Sequence, residues 1–137
     1  MLSKILLTIL LIVAIDFVWI GIINQKLYKS AIESVQKTKF AVRYFPGLIV
    51  YIAIALIVNF WIIPFVKQNK DKKNMFYHPF VNGFLLGALI YAIFDFTNMA
   101  IFSNWSYSVS ILDSLWGGVL TGTITTILLY LEKSYKI

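Results

Sequence analysis

Residues 5–23 read ILLTILLIVAIDFVWIGII and contain one charged side chain, Asp16. A run of about 20 apolar residues is long enough to cross the hydrocarbon core of a bilayer as an α-helix. Lys4 followed by an apolar stretch also resembles the start of a secretory signal peptide. However, the run continues through Ile23 and no small-residue cleavage site follows it, so we interpret it as a retained transmembrane helix.

Three further apolar runs, at residues 44–66, 79–102 and 108–131, are also long enough to span a membrane. Hydrophobic residues make up 60% of the 137 residues, whereas soluble domains contain about 45–50%. The chain has no cysteine, which excludes disulfides and thiolate metal sites. The sequence therefore predicts an all-α polytopic membrane protein, with a four-helix transmembrane bundle as a single domain over residues 1–137.

The connections between these runs carry most of the charge. Residues 24–43 combine five basic residues with apolar residues at helical spacing. This pattern predicts a short amphipathic interfacial helix between helices one and two, and a partner-binding helix is the alternative. Ser30 and Glu33 fit a capping box. Residues 67–78 are lysine-rich and are predicted to form a solvated loop.

The distribution of basic residues predicts the orientation and the partners. The N-terminus, the second connection and the C-terminus together carry seven of the 12 lysines and arginines, and the third connection carries none. Because lysine and arginine favour cytoplasmic loops, we expect both termini in the cytoplasm. The basic residues that give the net charge of +6 lie between the apolar runs or at their ends. We therefore expect membrane lipids as partners and no nucleic acid.

Three aspartates, Asp16, Asp95 and Asp113, lie inside apolar runs that contain no lysine or arginine. A charged side chain at the bilayer centre costs about 2.5–3.5 kcal/mol on insertion scales. Counted from the side of the first and third connections, all three lie roughly 8–11 Å below one interface, and Tyr51 reaches a similar depth. We therefore predict that these side chains meet in one buried polar pocket.

An Asp-x-x-Trp-x-Gly pattern occurs twice, beginning at Asp16 and at Asp113. Residues i and i+3 share a helix face, so Trp19 and Trp116 each lie beside an aspartate. Because the two helices run in opposite directions, we expect Trp19 to point toward the near interface and Trp116 toward the bilayer centre.

In the third run, Tyr91, Asp95 and Asn98 follow i, i+4 and i+7 spacing, so the three side chains lie on one face of the helix. The predicted pocket or ligand-binding residues are therefore Asp16, Trp19, Tyr51, Tyr91, Asp95, Asn98, Asp113 and Trp116.

No cation lies inside the apolar runs, and three ionised aspartates close together would repel one another. Either some carry protons, or a cation or a substrate amine completes the site. Lys26 or Arg43 could also reach inward from the interface. A hard cation such as calcium would need further oxygen ligands. The alternative is that the aspartates only join helices by hydrogen bonds. We assign no metal ligand, no cofactor and no catalytic residue.

Two glycine pairs predict close helix packing. Gly83-x-x-x-Gly87 and Gly118-x-x-x-Gly122 place small faces on the third and fourth helices. Small residues at this spacing allow the backbones of transmembrane helices to approach closely.

Several of these motifs resemble domain-of-unknown-function family 2177, whose members are small four-span bacterial membrane proteins. The resemblance rests on Asp16-Phe-Val-Trp19-Ile-Gly21, Leu27-Tyr28, Tyr91-Ala-Ile-Phe-Asp95-Phe-Thr97-Asn98, Trp105 and Leu112-Asp113-Ser-Leu-Trp116-Gly117. It implies an integral membrane protein of four helices in a bacterial inner membrane. It implies no activity, so whether the protein is an enzyme stays open.

Three functions remain open from the sequence. The first is a pocket that binds a proton, a cation or a small amine-bearing solute, also in coupled transport by a homo-oligomer. The second is an enzyme acting on a lipid or isoprenoid, with two carboxylates as acid and base, and with Trp105, Tyr107 and the basic first connection facing headgroups. The third is a non-catalytic scaffold or accessory subunit whose polar residues join helices.

Overall fold

The computed structural model describes residues 1–135, and all of the regular structure in this part of the chain is helical. Helix α1 (Leu2–Asp16) continues as a π-helix over Phe17–Ile23, and α2 (Gln25–Gln36) follows it. Helix α3 (Tyr44–Ile57) continues through π-helical Val58–Ile62 into α4 (Ile63–Gln68). A 3₁₀ turn, Met75–Tyr77, precedes α5 (Pro79–Ile101) and α6 (Tyr107–Tyr135).

Four helical segments are long and apolar enough to cross a membrane, namely Leu2–Ile23, Tyr44–Gln68, Pro79–Ile101 and Tyr107–Ser134. They coincide with the four predicted runs, so the prediction of an all-α protein with four membrane-spanning helices is confirmed. The boundaries shift by only a few residues, because backbone hydrogen bonding continues into the polar residues at the helix ends.

A proline accounts for the π-helical segment of the second span. Pro64 has no N–H, and its ring crowds the carbonyl of Phe60, four residues earlier. The segment Val58–Ile62 covers this carbonyl. Within it, the Asn59 amide donates to the hydroxyl of Thr8 at 2.9 Å, which joins the first and second spans.

The amphipathic helix lies in the predicted connection, but the capping-box prediction is wrong. Helix α2 begins at Gln25, so Ser30 and Glu33 lie inside it. The Glu33 carboxylate instead accepts from the backbone N–H of Phe40 at 2.7 Å. This bond fastens the segment that follows α2, and that segment forms part of the cavity described below.

Helix α6 is central in the bundle and contacts α1, α2 and α5. Its apolar core residues Leu120, Ile124 and Leu128 pack against side chains of the first and second spans. The glycines bring α5 and α6 together as predicted. A Cβ atom on Gly83 would lie 2.8 Å from the Cα of Gly122.

Charged residues meet at the end of the bundle near the chain termini and the second connection. Glu132 near the end of α6 forms ion pairs with Lys4 at the start of α1 and with Lys67 at the end of α4. These contacts hold three helix ends together. The polar site described next lies toward the opposite end of the helices.

Candidate functional site

Asp16 joins three spans through its carboxylate. It is the last residue of α1, directly before the π-helix, and its side chain is 4% exposed. Its Oδ1 accepts a hydrogen bond from the Trp116 indole at 2.8 Å, and its Oδ2 accepts one from the Tyr51 hydroxyl at 2.9 Å. Both donors are neutral. The π-helix that follows Asp16 is a further indication of a site, because π-helical turns are frequent at functional sites.

Asp113 is bound by a residue of the amphipathic helix. The Tyr28 hydroxyl of α2 donates to Asp113 Oδ1 at 2.6 Å and accepts from the Trp19 indole at 3.3 Å. Burial, reinforced by the bond to Asp113, raises the pKa of Tyr28 far above its usual range. Tyr28 therefore remains a neutral donor, and it ties α2 to the core of the bundle.

Asp95 is 1% exposed, and its Oδ1 accepts from the Trp105 indole at 3.2 Å. The same indole N–H also contacts the hydroxyl of Ser110 at 3.0 Å. Among the described residues, Asp95 Oδ2 has no N–H or hydroxyl donor. The Asp95 and Asp113 carboxyl groups are close enough to interact with each other. Because an ionised carboxylate only accepts, a bond between the two requires that one of them carries a proton.

The two tryptophans stack on each other, so the prediction that Trp19 points away toward the near interface and Trp116 toward the bilayer centre is wrong. The Trp19 and Trp116 rings lie 4.3 Å apart with 5° between their planes. Helical side chains lean toward the N-terminus of their own helix. Since the first and fourth spans are antiparallel, the two side chains lean toward each other. Each indole donates a hydrogen bond beside the aspartate of the other span. Trp116 donates to Asp16, and Trp19 donates to Tyr28, which is bound to Asp113.

Three predicted pocket residues form no hydrogen bond to these aspartates within residues 1–135: Trp19, which donates to Tyr28 instead, Tyr91 and Asn98. Tyr91 packs its ring against Gly117, where an added Cβ would overlap it. Asn98 lies in the last turn of α5, and its backbone carbonyl accepts from Phe102 N at 2.7 Å. Asn98 is therefore nearer the end of α5 than Tyr91 and Asp95.

The sequence reasoning missed three members of the network: Tyr28, Trp105 and Ser110. Trp105 was expected to face headgroups, but the short connection between α5 and α6 turns its indole onto Asp95. Tyr107, expected in the same place, is 70% exposed. The apolar spacing of α2 predicted that one face of this helix is buried, but it gave no sign that Tyr28 reaches an aspartate.

A cavity of about 740 Å³ opens beside Asp16, between the π-helix, α2, residues 40–45 and the start of α3. Its volume is typical of sites for small molecules. Apart from Gln25, Arg43 and Tyr44, the polar side chains at its wall are Asp16 and the two tyrosines bound to the aspartates, Tyr28 and Tyr51. Most of the remaining wall is apolar or aromatic. Trp19, Tyr91, Asp95, Asn98, Asp113 and Trp116 are not part of this wall.

The aspartates have no cationic partner in the described part of the chain. The ion pairs found there involve Glu132 alone, so no Lys, Arg or His nitrogen lies within 4.0 Å of Asp16, Asp95 or Asp113. Arg43 lines the same cavity as Asp16 but is exposed. No cluster of His, Cys, Asp and Glu within residues 1–135 suits a metal ion, which gives the calcium alternative no support.

Comparison with known families gives a match over most of the chain. The family described as predicted membrane protein (DUF2177) matches residues 1–130, which confirms the resemblance found in the sequence. No curated protein and no solved structure matches the chain.

Proposed function

The chain belongs to the DUF2177 family of predicted membrane proteins, and we propose that this membrane protein binds a small organic cation at Asp16. The ligand carries an amine or ammonium group that neutralises the carboxylate, and its apolar part fills the cavity of about 740 Å³. The observation that carries the proposal is a buried carboxylate that faces a cavity without a cationic partner among the described residues.

The hydrogen bonds of Asp16 support an ionised carboxylate. Both of its oxygens accept from neutral donors, Trp116 and Tyr51. Such bonds stabilise the charged form but leave its charge uncompensated, and a buried charge is expensive unless it is paired. A cationic ligand supplies the missing charge.

The composition of the cavity wall supports the choice of an organic cation over an inorganic one. Aromatic side chains of Phe17, Phe40, Tyr44 and Phe45 stand around the space next to Asp16. Aromatic faces attract ammonium groups, and apolar walls bind hydrocarbon. A small hard cation would find few oxygen ligands here.

Hexyltrimethylammonium is a suitable probe because it is charged at every pH and carries an apolar chain. Wild-type protein in nanodiscs should bind it, as measured by isothermal titration calorimetry, and should bind hexanol much more weakly. The Asp16→Asn variant should lose about 2 kcal/mol of binding free energy, or roughly 30-fold in affinity, because the buried charge pair is gone. Asparagine keeps a donor and an acceptor for Tyr51 and Trp116.

The matched control is Asp71→Asn, which makes the same chemical change at an exposed aspartate of the second connection. It should bind the probe as the wild type does. Equal affinity for hexanol and for the cation, or unchanged binding by Asp16→Asn, would contradict the proposal.

The Asp95–Asp113 pair supports proton-coupled transport as an extension of this function. A carboxyl pair that shares one proton can release or take up that proton as the charge at Asp16 changes. Tyr28 connects the cavity of Asp16 with the Asp95–Asp113 pair, since it lines the cavity and donates to Asp113. Four helices enclose little space for a transport path, so we propose a homo-oligomer, which native mass spectrometry would reveal.

A scaffold or accessory subunit is the second candidate. The bonds from Tyr51 and Trp116 to Asp16 join three spans, as expected of interhelical hydrogen bonds. In that case Asp16→Asn lowers the stability while neither variant nor wild type binds the cation. The calorimetric experiment therefore separates the two functions.

We propose that both termini are cytoplasmic and that the protein resides in a bacterial inner membrane, as the basic residues indicate. The chain has no cysteine, so a single introduced cysteine reports its own location. A membrane-impermeant maleimide applied to intact cells should label Ser103→Cys in the third connection and leave Ser134→Cys near the C-terminus unlabelled. The opposite labelling would reverse the proposed orientation.

A further inference from the structure

The second connection, which was predicted to be a solvated loop, forms the wall of a separate pocket of about 520 Å³. We call it the basic pocket because Lys67, Lys70, Lys72, Lys73 and His78 all line it. It lies where α4 ends and α5 begins, and Leu129 of α6 contributes to its wall. It is therefore at the end of the bundle opposite the cavity of Asp16.

We propose that the basic pocket binds the phosphate-bearing headgroup of an anionic membrane lipid. Its charge is the first support. Lys67 is engaged by Glu132, but within residues 1–135 Lys70, Lys72 and Lys73 form no ion pair. Three unneutralised ammonium groups around one space attract a phosphate group, and clusters of lysine next to a transmembrane helix are typical of anionic lipid binding.

The apolar surface beside the lysines is the second support and favours a lipid over a free phosphate ion. The 3₁₀ turn of the connection exposes Met75 and Phe76 by 66% and 52%. Val66 and Leu129 lie at the wall of the pocket itself. Apolar side chains next to basic ones are the arrangement by which interfacial segments enter the headgroup region.

The order of the connection is the third support. The Lys72 ammonium lies over the Tyr77 ring, 5.2 Å from its centroid. The Asn74 side chain accepts from Phe76 N at 3.0 Å and starts the 3₁₀ turn. These contacts order the lysine-bearing segment itself. The Asn82 amide of α5 donates to the Phe76 carbonyl at 3.1 Å and fastens the segment to the start of that helix.

Native mass spectrometry of the full chain in detergent tests this proposal with two lipids of equal chain length, phosphatidylglycerol and phosphatidylcholine. Wild-type protein should bind phosphatidylglycerol more tightly. The triple variant Lys70→Gln, Lys72→Gln, Lys73→Gln should lose about fivefold in affinity for each charge removed. A second variant, with arginine at the same three positions, should retain the affinity and shows that these sites tolerate substitution.

The matched control removes three exposed lysines of the first connection by Lys26→Gln, Lys29→Gln and Lys39→Gln. It has the same net charge as the glutamine variant and should keep the preference for phosphatidylglycerol. Equal losses in both glutamine variants would show diffuse attraction and overturn the proposal. Displacement of the lipid by millimolar inorganic phosphate would overturn the assignment to a lipid and indicate a site for soluble anions.

Discussion

Proteoliposomes that contain the Asp95→Asn variant should take up hexyltrimethylammonium no faster than protein-free liposomes when a pH gradient is imposed. Wild-type proteoliposomes should take it up rapidly. This is the largest effect we expect on function, and it tests the proton-coupled form of the proposed activity, measured as the accumulation of radiolabelled cation.

The expectation follows from the pairing of Asp95 with Asp113. The two carboxyl groups interact directly, and a hydrogen bond between two carboxyl groups requires a proton on one of them; we propose that they share this proton. An asparagine amide at position 95 would still accept from Trp105 and donate to Asp113. It cannot release a proton, however, so the network keeps its shape and loses its exchangeable charge.

Binding of the cation and its proton-coupled transport can be measured separately. Asp95 is not part of the cavity wall, so Asp95→Asn should still bind the cation in calorimetry while failing to transport it. Asp71→Asn serves again as the control for the chemical change and should transport normally. Unchanged uptake by Asp95→Asn would contradict proton coupling without affecting the binding proposal at Asp16.

The Gly87→Ala variant should be less stable than the wild type by about 3 kcal/mol, the upper part of the range for overpacked cores. An added Cβ on Gly87 would overlap the carbonyl oxygen of Gly117 and the side chain of Thr121. The obstacle at Gly117 is backbone, so the helices α5 and α6 would have to move apart. Reversible unfolding in mixed micelles, followed by circular dichroism, measures the difference.

Gly47→Ala makes the same change where an added Cβ would have nothing within 4 Å. Because glycine within a helix is less stable than alanine, this variant should be as stable as the wild type or more stable by about 0.5–1 kcal/mol. If the two variants were equally stable, the close approach of α5 and α6 would be wrong.

The sequence alone determined the number and approximate length of the membrane-spanning helices. Apolar runs of bilayer length can satisfy their backbone groups in lipid only as helices or closed barrels, and runs of this length and continuity indicate helices. The glycine pairs predicted the packing of α5 on α6, because only glycine at Gly83 and Gly87 lets the two helix backbones come this close. The sequence also predicted a similar depth for the three aspartates, because the rise per residue is fixed.

Only the tertiary structure decided which side chains meet. The helical period gives each residue a depth and a face on its own helix, but it does not give the rotation of one helix against the next. The stacking of Trp19 on Trp116 and the bond from Tyr28 to Asp113 both depend on that rotation. The cavity beside Asp16 depends in addition on how residues 40–45 fold back after α2, which is set by contacts between segments distant in sequence.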